Sequence, residues 1–292
     1  MGAYAVPWKI GLSTCGGKDL SKRGFEQYRD NGIEAMELSM NYREYQNVDF
    51  GMLKRNAAET GVTLWSIHLP FQPFQTNDPS ALEESIRQAT ADAQKKLLEK
   101  AAAAGFKIAV IHPSGEPHQE EERPARIVQA QKTLAELASF SAGVGMTLAV
   151  ENLPRTCLGR NAKEMKKLLE ADGRLRLCFD TNHLLGESLE DFLKQCAAQV
   201  ITVHVSDYDF LNERHWMPGE GRINWNAVIS LLHDAGYAGP WLYEVDLKAP
   251  STIVRSRELT YKDFKENAEA LFAGLSPAAL GEPKKDLKSW RE

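Results

Sequence analysis

The sequence predicts a single-domain (β/α)8 TIM barrel of the α/β class, and three observations support this prediction. Short apolar runs of strand length alternate with longer helix-like segments along the chain. There are eight such runs, the number of strands in a barrel of this type. The chain has 292 residues, and such a barrel occupies about 250 residues. Alternating strands and helices favour parallel pairing through right-handed crossovers.

Each predicted strand is rich in Val, Ile, Leu or aromatic residues, which favour extended structure. The strands span residues 9–14, 35–40, 63–68, 108–113, 147–152, 176–181, 201–206 and 241–246. Helical patterns lie between them, and most of these are followed closely by a glycine, the usual signature of a helix C-terminus. The helices span residues 20–31, 50–60, 79–104, 122–142, 161–171, 188–197, 224–235 and 260–272. We therefore expect the barrel to occupy residues 1–275, followed by a polar C-terminal appendage over residues 276–292.

Composition narrows the classes of function. The formal net charge is −5, and an acidic balance does not favour nucleic acid as a partner, because such binding depends on Lys and Arg. The four cysteines form no CxxC pair, as is typical of reduced thiols in an intracellular protein. No signal peptide or membrane span is evident. We expect a cytoplasmic enzyme with a small-molecule substrate, and the sequence leaves a homo-oligomer open.

Polar groups capable of metal binding or proton transfer stand near the ends of six consecutive predicted strands. All C-terminal strand ends of a barrel meet at one mouth, where barrel enzymes have their active sites. A buried charge without a partner is costly, and a shared cation would supply that partner to several groups at once. The residues are His68, His112, Glu151, Asp180 with His183 close behind it, His204 and Glu244. Such a mixed set suits Mn²⁺, Mg²⁺, Co²⁺ or Zn²⁺, without choosing among them.

Seven segments carry a resemblance to a known family. They are SIHLPF (66–71), VIHPSGE (110–116), LAVENLP (148–154), LCFDTNH (177–183), VHVSDYD (203–209), RHWMPGEGRINW (214–225) and YEV (243–245). In this order they resemble the xylose isomerase-like TIM barrels, specifically the sugar phosphate isomerase/epimerase family in the endonuclease IV superfamily. The resemblance implies a divalent-metal-dependent isomerase or epimerase of a keto-sugar or related polyol.

The resemblance also implies roles for particular residues. Glu151, Asp180, His204 and Glu244 would hold one divalent metal ion, which would stabilise an enediolate by Lewis-acid catalysis. Glu151 and Glu244 would act as the catalytic acid and base, one on each face of the reacting carbon. The predicted substrate-binding residues are His68, His112, His183, His215, Arg155, Trp65 and Trp216. Phe71 is also expected to line the pocket.

Two departures from the keto-hexose epimerase pattern bear on the reaction. Cys157 stands where those epimerases have a second Glu, and Phe210 stands where they have an Arg. Arg214 is a candidate replacement for that Arg. The departures weigh against keto-hexose 3-epimerase activity.

Three alternatives stay open. A metal-dependent dehydratase of a keto-inositol or similar compound shares the first chemical step. A trizinc phosphodiesterase like endonuclease IV would use the same histidines and carboxylates, with Glu213 where that family has Asp. The acidic run Glu120, Glu121 and Glu122 weighs against DNA as its substrate. A non-catalytic sugar-binding barrel is the third.

Overall fold

A computed structural model describes residues 6, 8–116 and 118–292. In these ranges eight parallel strands follow one another around the barrel, which confirms the predicted fold class. The strands are β1 Ile10–Ser13, β2 Ala35–Leu38, β3 Thr63–His68, β4 Ile108–Ile111, β5 Thr147–Glu151, β6 Arg176–Asp180, β7 Val200–His204 and β8 Trp241–Tyr243. Several predicted runs extend past the observed C-terminal end of their strand, because the last polar residues already belong to the loops at the barrel mouth.

The strand order closes the ring. Each strand from β1 to β7 pairs with its neighbour in the sequence, and β1 also pairs with β8. A parallel bridge between Val205 and Tyr243 joins the two remaining edges, and the Glu244 N–H donates to the Val205 carbonyl over 3.1 Å. A closed barrel leaves no unpaired sheet edge.

Eight helices cover the outside of the barrel in the described part of the chain. They are α1 Lys22–Asp30, α2 Phe50–Thr60, α3 Glu84–Ala104, α4 Arg123–Gly143, α5 Ala162–Leu169, α6 Leu189–Cys196, α7 Trp225–Asp234 and α8 Tyr261–Phe272. Side-chain caps explain several starts: Ser21, Asp49 and Asn161 each accept a backbone N–H of the first turn. Gly61 and Gly105 follow α2 and α3 with φ of 80° and 113°, a conformation that glycine adopts without a steric penalty.

The third helix starts later than the sequence predicted. Residue 79 was the expected beginning, but α3 begins at Glu84. Asp78 is the reason: its Oδ1 accepts from the backbone N–H and the hydroxyl of Ser80, and its Oδ2 accepts from Arg126. These bonds hold the segment in a turn that competes with helix. Among the described helices, none is long and apolar enough to cross a bilayer.

The C-terminal segment is docked on the barrel. It contributes β10 (Gly281–Pro283), which pairs antiparallel with β9 (Ile253–Arg255) in the loop between β8 and α8. Farther along, the Trp290 N–H donates to the Leu211 carbonyl over 3.0 Å. Arg214 Nη2 donates to the Lys288 carbonyl over 2.8 Å. The last residues of the chain therefore lie against the loop that follows β7, at the mouth of the barrel.

Candidate active site

Four barrel strands deliver the four predicted metal ligands to one place. Glu151, Asp180 and His204 are the last residues of β5, β6 and β7, and Glu244 directly follows β8. Each offers one donor atom, and these four atoms lie within 4.8 Å of one another. Because the strands are parallel, their C-terminal ends reach the same mouth. We call Glu151, Asp180, His204 and Glu244 the ligand cluster.

His204 stands at the centre of the ligand cluster. Its Nδ1 lies 3.1 Å from Glu151 Oε1, 3.5 Å from Glu244 Oε2 and 3.8 Å from Asp180 Oδ2. Three carboxylates gathered this closely repel one another unless protons or a cation neutralise them.

Asp180 shows that the cluster suits a cation. Its Oδ1 accepts the Asn182 backbone N–H over 2.6 Å. Its Oδ2 is buried and has no hydrogen-bond partner among the described residues. Burial, with Glu244 and Glu151 nearby, raises the pKa of Asp180 to about 8, although His183 opposes the shift. A buried oxygen aimed at two other carboxylates and an imidazole is what a hard or borderline divalent ion would satisfy.

Glu37 is a site residue that sequence reasoning missed. It lies in β2, is fully buried, and its Oε2 is 3.0 Å from His204 Nε2 and 2.8 Å from Ser66 Oγ. Burial raises the pKa of Glu37, but His204 and His68 outweigh burial and the net pKa is lowered. A carboxylate on one imidazole nitrogen fixes the ring so that the other nitrogen faces the metal site. The only signal in the sequence was a charged residue inside the apolar run AMELSM.

Glu151 connects the ligand cluster with two further histidines. Its Oε2 lies 3.1 Å from His68 Nε2 and 3.2 Å from His112 Nε2, while its Oε1 faces His204. Burial raises the pKa of Glu151, but His204 and His112 outweigh it and hold the pKa well below the usual range. His68 in turn donates from Nδ1 to the Leu69 carbonyl over 3.0 Å, which orients its ring. Both carboxylate oxygens of Glu151 therefore contact histidines of the candidate site.

A second group of donors lies beside the ligand cluster. It consists of His183, Glu213 and His215, and we call it the second cluster. His215 Nε2 is 2.8 Å and His183 Nε2 is 3.7 Å from Glu213 Oε1, and donor atoms of the three residues lie within 4.8 Å of one another. Burial lowers the pKa of both histidines, but Asp180 and Glu213 raise it more, to about 10 for His183 and about 9 for His215. This second cluster contacts the first, because His183 Nδ1 is 3.5 Å from Glu151 Oε1.

Arg155 ties together the loops around the second cluster. Its guanidinium pairs with Glu116 at 2.9 Å and with Glu213 at 2.8 Å. Its backbone has a φ of 51°, a left-handed conformation that is uncommon for a residue with a side chain. Arg155 is one of the predicted substrate-binding residues. In the structure it meets two carboxylates of the protein, at the edge of the site.

These groups open onto a cavity of about 150 Å³. Five of the seven predicted substrate-binding residues line it, together with both predicted catalytic carboxylates. Phe71, Phe74, Glu116 and Glu213 line it as well, and of these four the sequence had placed only Phe71 in the substrate pocket. The Phe71 ring stacks on His112 with centroids 4.3 Å apart. The predicted residues on the wall are His68, His112, Glu151, Arg155, His183, His215 and Glu244.

Trp65 and Trp216 do not line this cavity, which corrects the prediction made for them. Trp65 is half-buried near the start of β3, away from the mouth, where it packs against a small apolar cluster and donates from its indole N–H to Thr202 over 3.1 Å. Trp216 is 1% exposed and donates to Thr252 over 2.9 Å. The depth of a side chain within a barrel depends on strand tilt and stagger, which a local sequence pattern does not reveal. Arg214 is also absent from the cavity wall, because Asp209 and the C-terminal segment hold its guanidinium.

The comparison with known families agrees with this geometry. Residues 25–263 match the family described as the xylose isomerase-like TIM barrel. The chain belongs to this family. The match covers the strands from β3 to β8 that carry the candidate site, and it confirms the resemblance drawn from the seven sequence segments.

Individual xylose isomerase-like relatives are distant. An uncharacterized protein of Methanocaldococcus jannaschii is 24% identical over 246 residues, which is 80% of this chain and 81% of that protein. The inosose isomerase of Halalkalibacterium halodurans is 27% identical over 146 residues, 46% of this chain and 50% of that enzyme. The crystal structure of a D-tagatose 3-epimerase-like protein has a TM-score of 0.71 at 20% identity, covering 80% of this chain and 89% of that one. This structural likeness shows the shared fold.

Proposed function

We propose that the protein is a divalent-metal-dependent isomerase or epimerase of a keto-sugar or related polyol. One observation carries the proposal: the carboxylates of Glu151 and Glu244 converge on His204 beside the unpartnered oxygen of Asp180, at the wall of a small cavity. The family and the similarity to an inosose isomerase and a D-tagatose 3-epimerase-like protein support it. At about 150 Å³ the cavity is smaller than the roughly 300–1,000 Å³ of drug-sized sites, which suits a single sugar.

The ligand cluster would hold the metal ion. Its three carboxylates and one imidazole suit Mn²⁺, Zn²⁺, Mg²⁺ or Co²⁺. When bound, the ion would act as a Lewis acid on the carbonyl oxygen of the substrate. Glu37 would keep the Nδ1 of His204 directed at the ion through its contact with Nε2.

Glu244 and Glu151 have different surroundings, and these suggest different roles. The Glu244 carboxylate is 13% exposed, lines the cavity and accepts no hydrogen bond within the described ranges. It is suited to remove the proton from the carbon beside the carbonyl. Glu151 has its Oε2 between His68 and His112. Burial lowers the pKa of His68, but Glu151 raises it more, so His68 can supply a proton to that oxygen. We infer that Glu151 returns the proton on the other face of the carbon.

The remaining wall of the cavity would hold the sugar. His183 and His215 donate from Nδ1 to the carbonyls of Asn152 and Glu244, so their Nε2 atoms are left for Glu213 and for substrate hydroxyls. Phe71 and Phe74 line the cavity, and aromatic rings pack well against the C–H surface of a sugar.

Proton exchange in deuterated solvent tests the proposal. With metal supplied, a panel of keto-sugars and oxidised inositols should include a compound whose hydrogen beside the carbonyl exchanges. Glu244→Gln and Glu151→Gln should each lower that rate by about 10²–10⁴-fold, the usual contribution of general acid–base catalysis. Glu34→Gln is the matched control, because Glu34 is an exposed carboxylate just before β2, at the opposite end of the barrel.

Two results would contradict the proposal. Near-wild-type exchange in both site variants, with metal still bound, would exclude these carboxylates as the acid and base. Absence of exchange for every compound with the wild-type protein would favour the non-catalytic sugar-binding barrel. The product separates the enzymes that share the first step, because a dehydratase of a keto-inositol releases water. An isomerase or epimerase keeps the molecular formula of its substrate.

The second cluster favours one other candidate, a trinuclear phosphodiesterase. Two further donor groups stand next to the ligand cluster: His68 and His112 on Glu151, and the trio His183, Glu213 and His215. Counting metal ions per purified chain, with an assay on DNA containing abasic sites, distinguishes the two functions. Three tightly held zinc ions with phosphodiesterase activity would replace the isomerase proposal. One ion with proton exchange would uphold it.

A further inference from the structure

A cleft of about 260 Å³ lies next to the candidate active site. The active-site cavity and this cleft share two lining residues, Arg155 and His183. His183 Nδ1 is 3.5 Å from Glu151 Oε1 and 3.6 Å from Asp180 Oδ2. The cleft therefore begins one side chain away from the ligand cluster, and a substrate held there could extend into it.

The C-terminal segment builds the outer wall of the cleft. Trp290 and Arg291 line it, and the Arg291 guanidinium lies over the Trp290 ring at 5.1 Å. Two hydrogen bonds to the loop after β7 hold this part of the segment: Trp290 N–H to the Leu211 carbonyl and Arg214 to the Lys288 carbonyl. Residues far apart in sequence are thereby brought to the same cleft, because Arg160 and Asn161 line its other side.

The polar lining of the cleft is cationic. Arg155, Arg160 and Arg291 line it, and no carboxylate side chain is on its wall within the described residues. The Arg155 guanidinium is already paired with Glu116 and Glu213, which leaves Arg160 and Arg291 for a ligand. Arg291 forms no ion pair with any residue that the structure describes. Arg160 is held by Glu120, whose side chain is 58% exposed. An exposed ion pair of this kind contributes little net stability, so Arg160 can exchange Glu120 for an anion of a ligand.

We propose that this cleft binds an anionic group, a phosphate or a carboxylate, that the substrate carries away from its reacting carbon. The proposal rests on the proposed function, since it assigns the far end of the same substrate. Arginine is the side chain best suited to both anions, because its planar fork donates two parallel hydrogen bonds. Trp290 would cover the apolar C–H surface between the anion and the reacting carbon.

Binding of an anion alone tests the cleft without any turnover. Inorganic phosphate, and acetate in a second arm, would be titrated into the wild-type protein by calorimetry. The double variant Arg160→Ala/Arg291→Ala should bind the preferred anion at least about 10-fold more weakly, the effect of losing one hydrogen bond to a charged group. Arg174→Ala is the matched control, because it also removes an exposed arginine from an ion pair, with Asp172, outside the cleft. Unchanged affinity in the double variant, or binding of neither anion, would overturn the proposal.

A substrate series then separates this proposal from the proposed function. D-fructose, its 6-phosphate and its 6-carboxylate share one skeleton and differ at the far end. The cleft predicts that kcat/KM for proton exchange is at least about 10-fold higher with one of the two anions than with D-fructose. The double variant should lose that ratio, and Arg174→Ala should keep it. If proton exchange occurs but the ratio of kcat/KM between the anionic sugars and D-fructose is the same in wild type and double variant, the cleft proposal is wrong and the isomerase proposal stands. Anion binding lost in the double variant, without exchange of any sugar, would support the cleft and contradict the isomerase.

Discussion

Glu37 has the clearest consequence at the scale of a single residue. It occupies the interior of β2 with no exposure, and its partner His204 lies 167 positions later in the chain. A buried carboxylate needs a partner to offset its desolvation. Here the partner is the imidazole whose other nitrogen faces three carboxylates. The pair is therefore a positioning device for the only imidazole of the ligand cluster.

Glu37→Gln should weaken metal binding by about 10–100-fold, the usual effect of losing an outer carboxylate partner of a metal-binding histidine. Glutamine has nearly the same shape, so the fold should be retained, but it lacks the charge. Competition with a chromophoric chelator would measure the affinity. Ser66→Ala is the control, since Ser66 donates to the same Glu37 oxygen while its loss leaves the charge in place. Wild-type affinity in Glu37→Gln would show that His204 needs no such partner.

At the scale of elements, α8 has the best-defined helix start. Thr260 and Asp263 form a capping box, in which the Asp263 carboxylate accepts from the backbone N–H and the hydroxyl of Thr260. Arg257 adds two contacts of 2.7 Å to the Asp263 carboxylate. Its guanidinium and the Thr260 N–H lower the pKa of Asp263 to about 2, against a smaller opposing effect of burial. Arg257, Thr260 and Asp263 thus fix the start of α8, the last helix of the barrel. This helix follows β8, the strand that ends just before Glu244.

Asp263→Asn should lower the free energy of unfolding at pH 7 by about 1 kcal/mol, the typical size of a lost cap. Because the folded-state pKa is below the unfolded value of about 3.9, the stabilisation by the carboxylate is fully present above that value. It is lost as the pH falls toward 2. Urea unfolding at pH 7 and pH 3 should therefore show a smaller difference between variant and wild type at the lower pH. Thr260→Ser keeps the hydroxyl and should change little. Equal stability of Asp263→Asn and wild type at pH 7 would contradict the cap.

At the scale of the whole molecule, the barrel buries a concentration of charge at one end. Glu37, Glu151 and Asp180 are each at most 1% exposed, and the pKa of Asp180 is raised to about 8, first of all by burial. Burying carboxylates together costs stability unless a cation offsets their repulsion. We therefore expect the stability of the fold to depend on whether a cation occupies the ligand cluster.

Removal of divalent metal by a chelator should lower the melting temperature, and adding it back should restore it. At a metal concentration of 100 times Kd, binding to the folded state alone contributes about 2.7 kcal/mol. For a chain of 292 residues, with an unfolding entropy of about 2.1 cal/mol/K per residue, that corresponds to about 4 °C. Scanning calorimetry would measure the shift. Asp180→Asn, which lacks one of the candidate ligand oxygens, should show a much smaller response. An identical melting temperature with and without every candidate metal would argue that the cluster holds no ion.

The barrel, and the convergence of most candidate metal-binding residues at its mouth, were predictable from the sequence, because both depend on local patterns. Apolar runs of strand length separated by helical segments determine the barrel. A polar residue at the end of an apolar run is assigned to the barrel mouth by parallel pairing alone. Glu151, Asp180, His204 and Glu244 all belong to this class. Trp65 and Trp216 were placed wrongly because aromatic character does not tell at what depth in the barrel, or on which side of a loop, a ring packs.

Pairings between distant loops could be decided only by the tertiary structure. The contacts of Arg155 with Glu116 and Glu213 span 39 and 58 positions, and no pattern in those loops indicates them. The same holds for Trp290 and Arg291, which the sequence assigned to a polar appendage and the structure brings beside His183.

Strand and helix signals repeat every two or 3.6 residues and can be found locally. Loop partners depend on where the strand ends converge in space. By itself the sequence therefore determined a barrel with carboxylates and histidines at its mouth. The tertiary structure decided how they pair and which residues surround them.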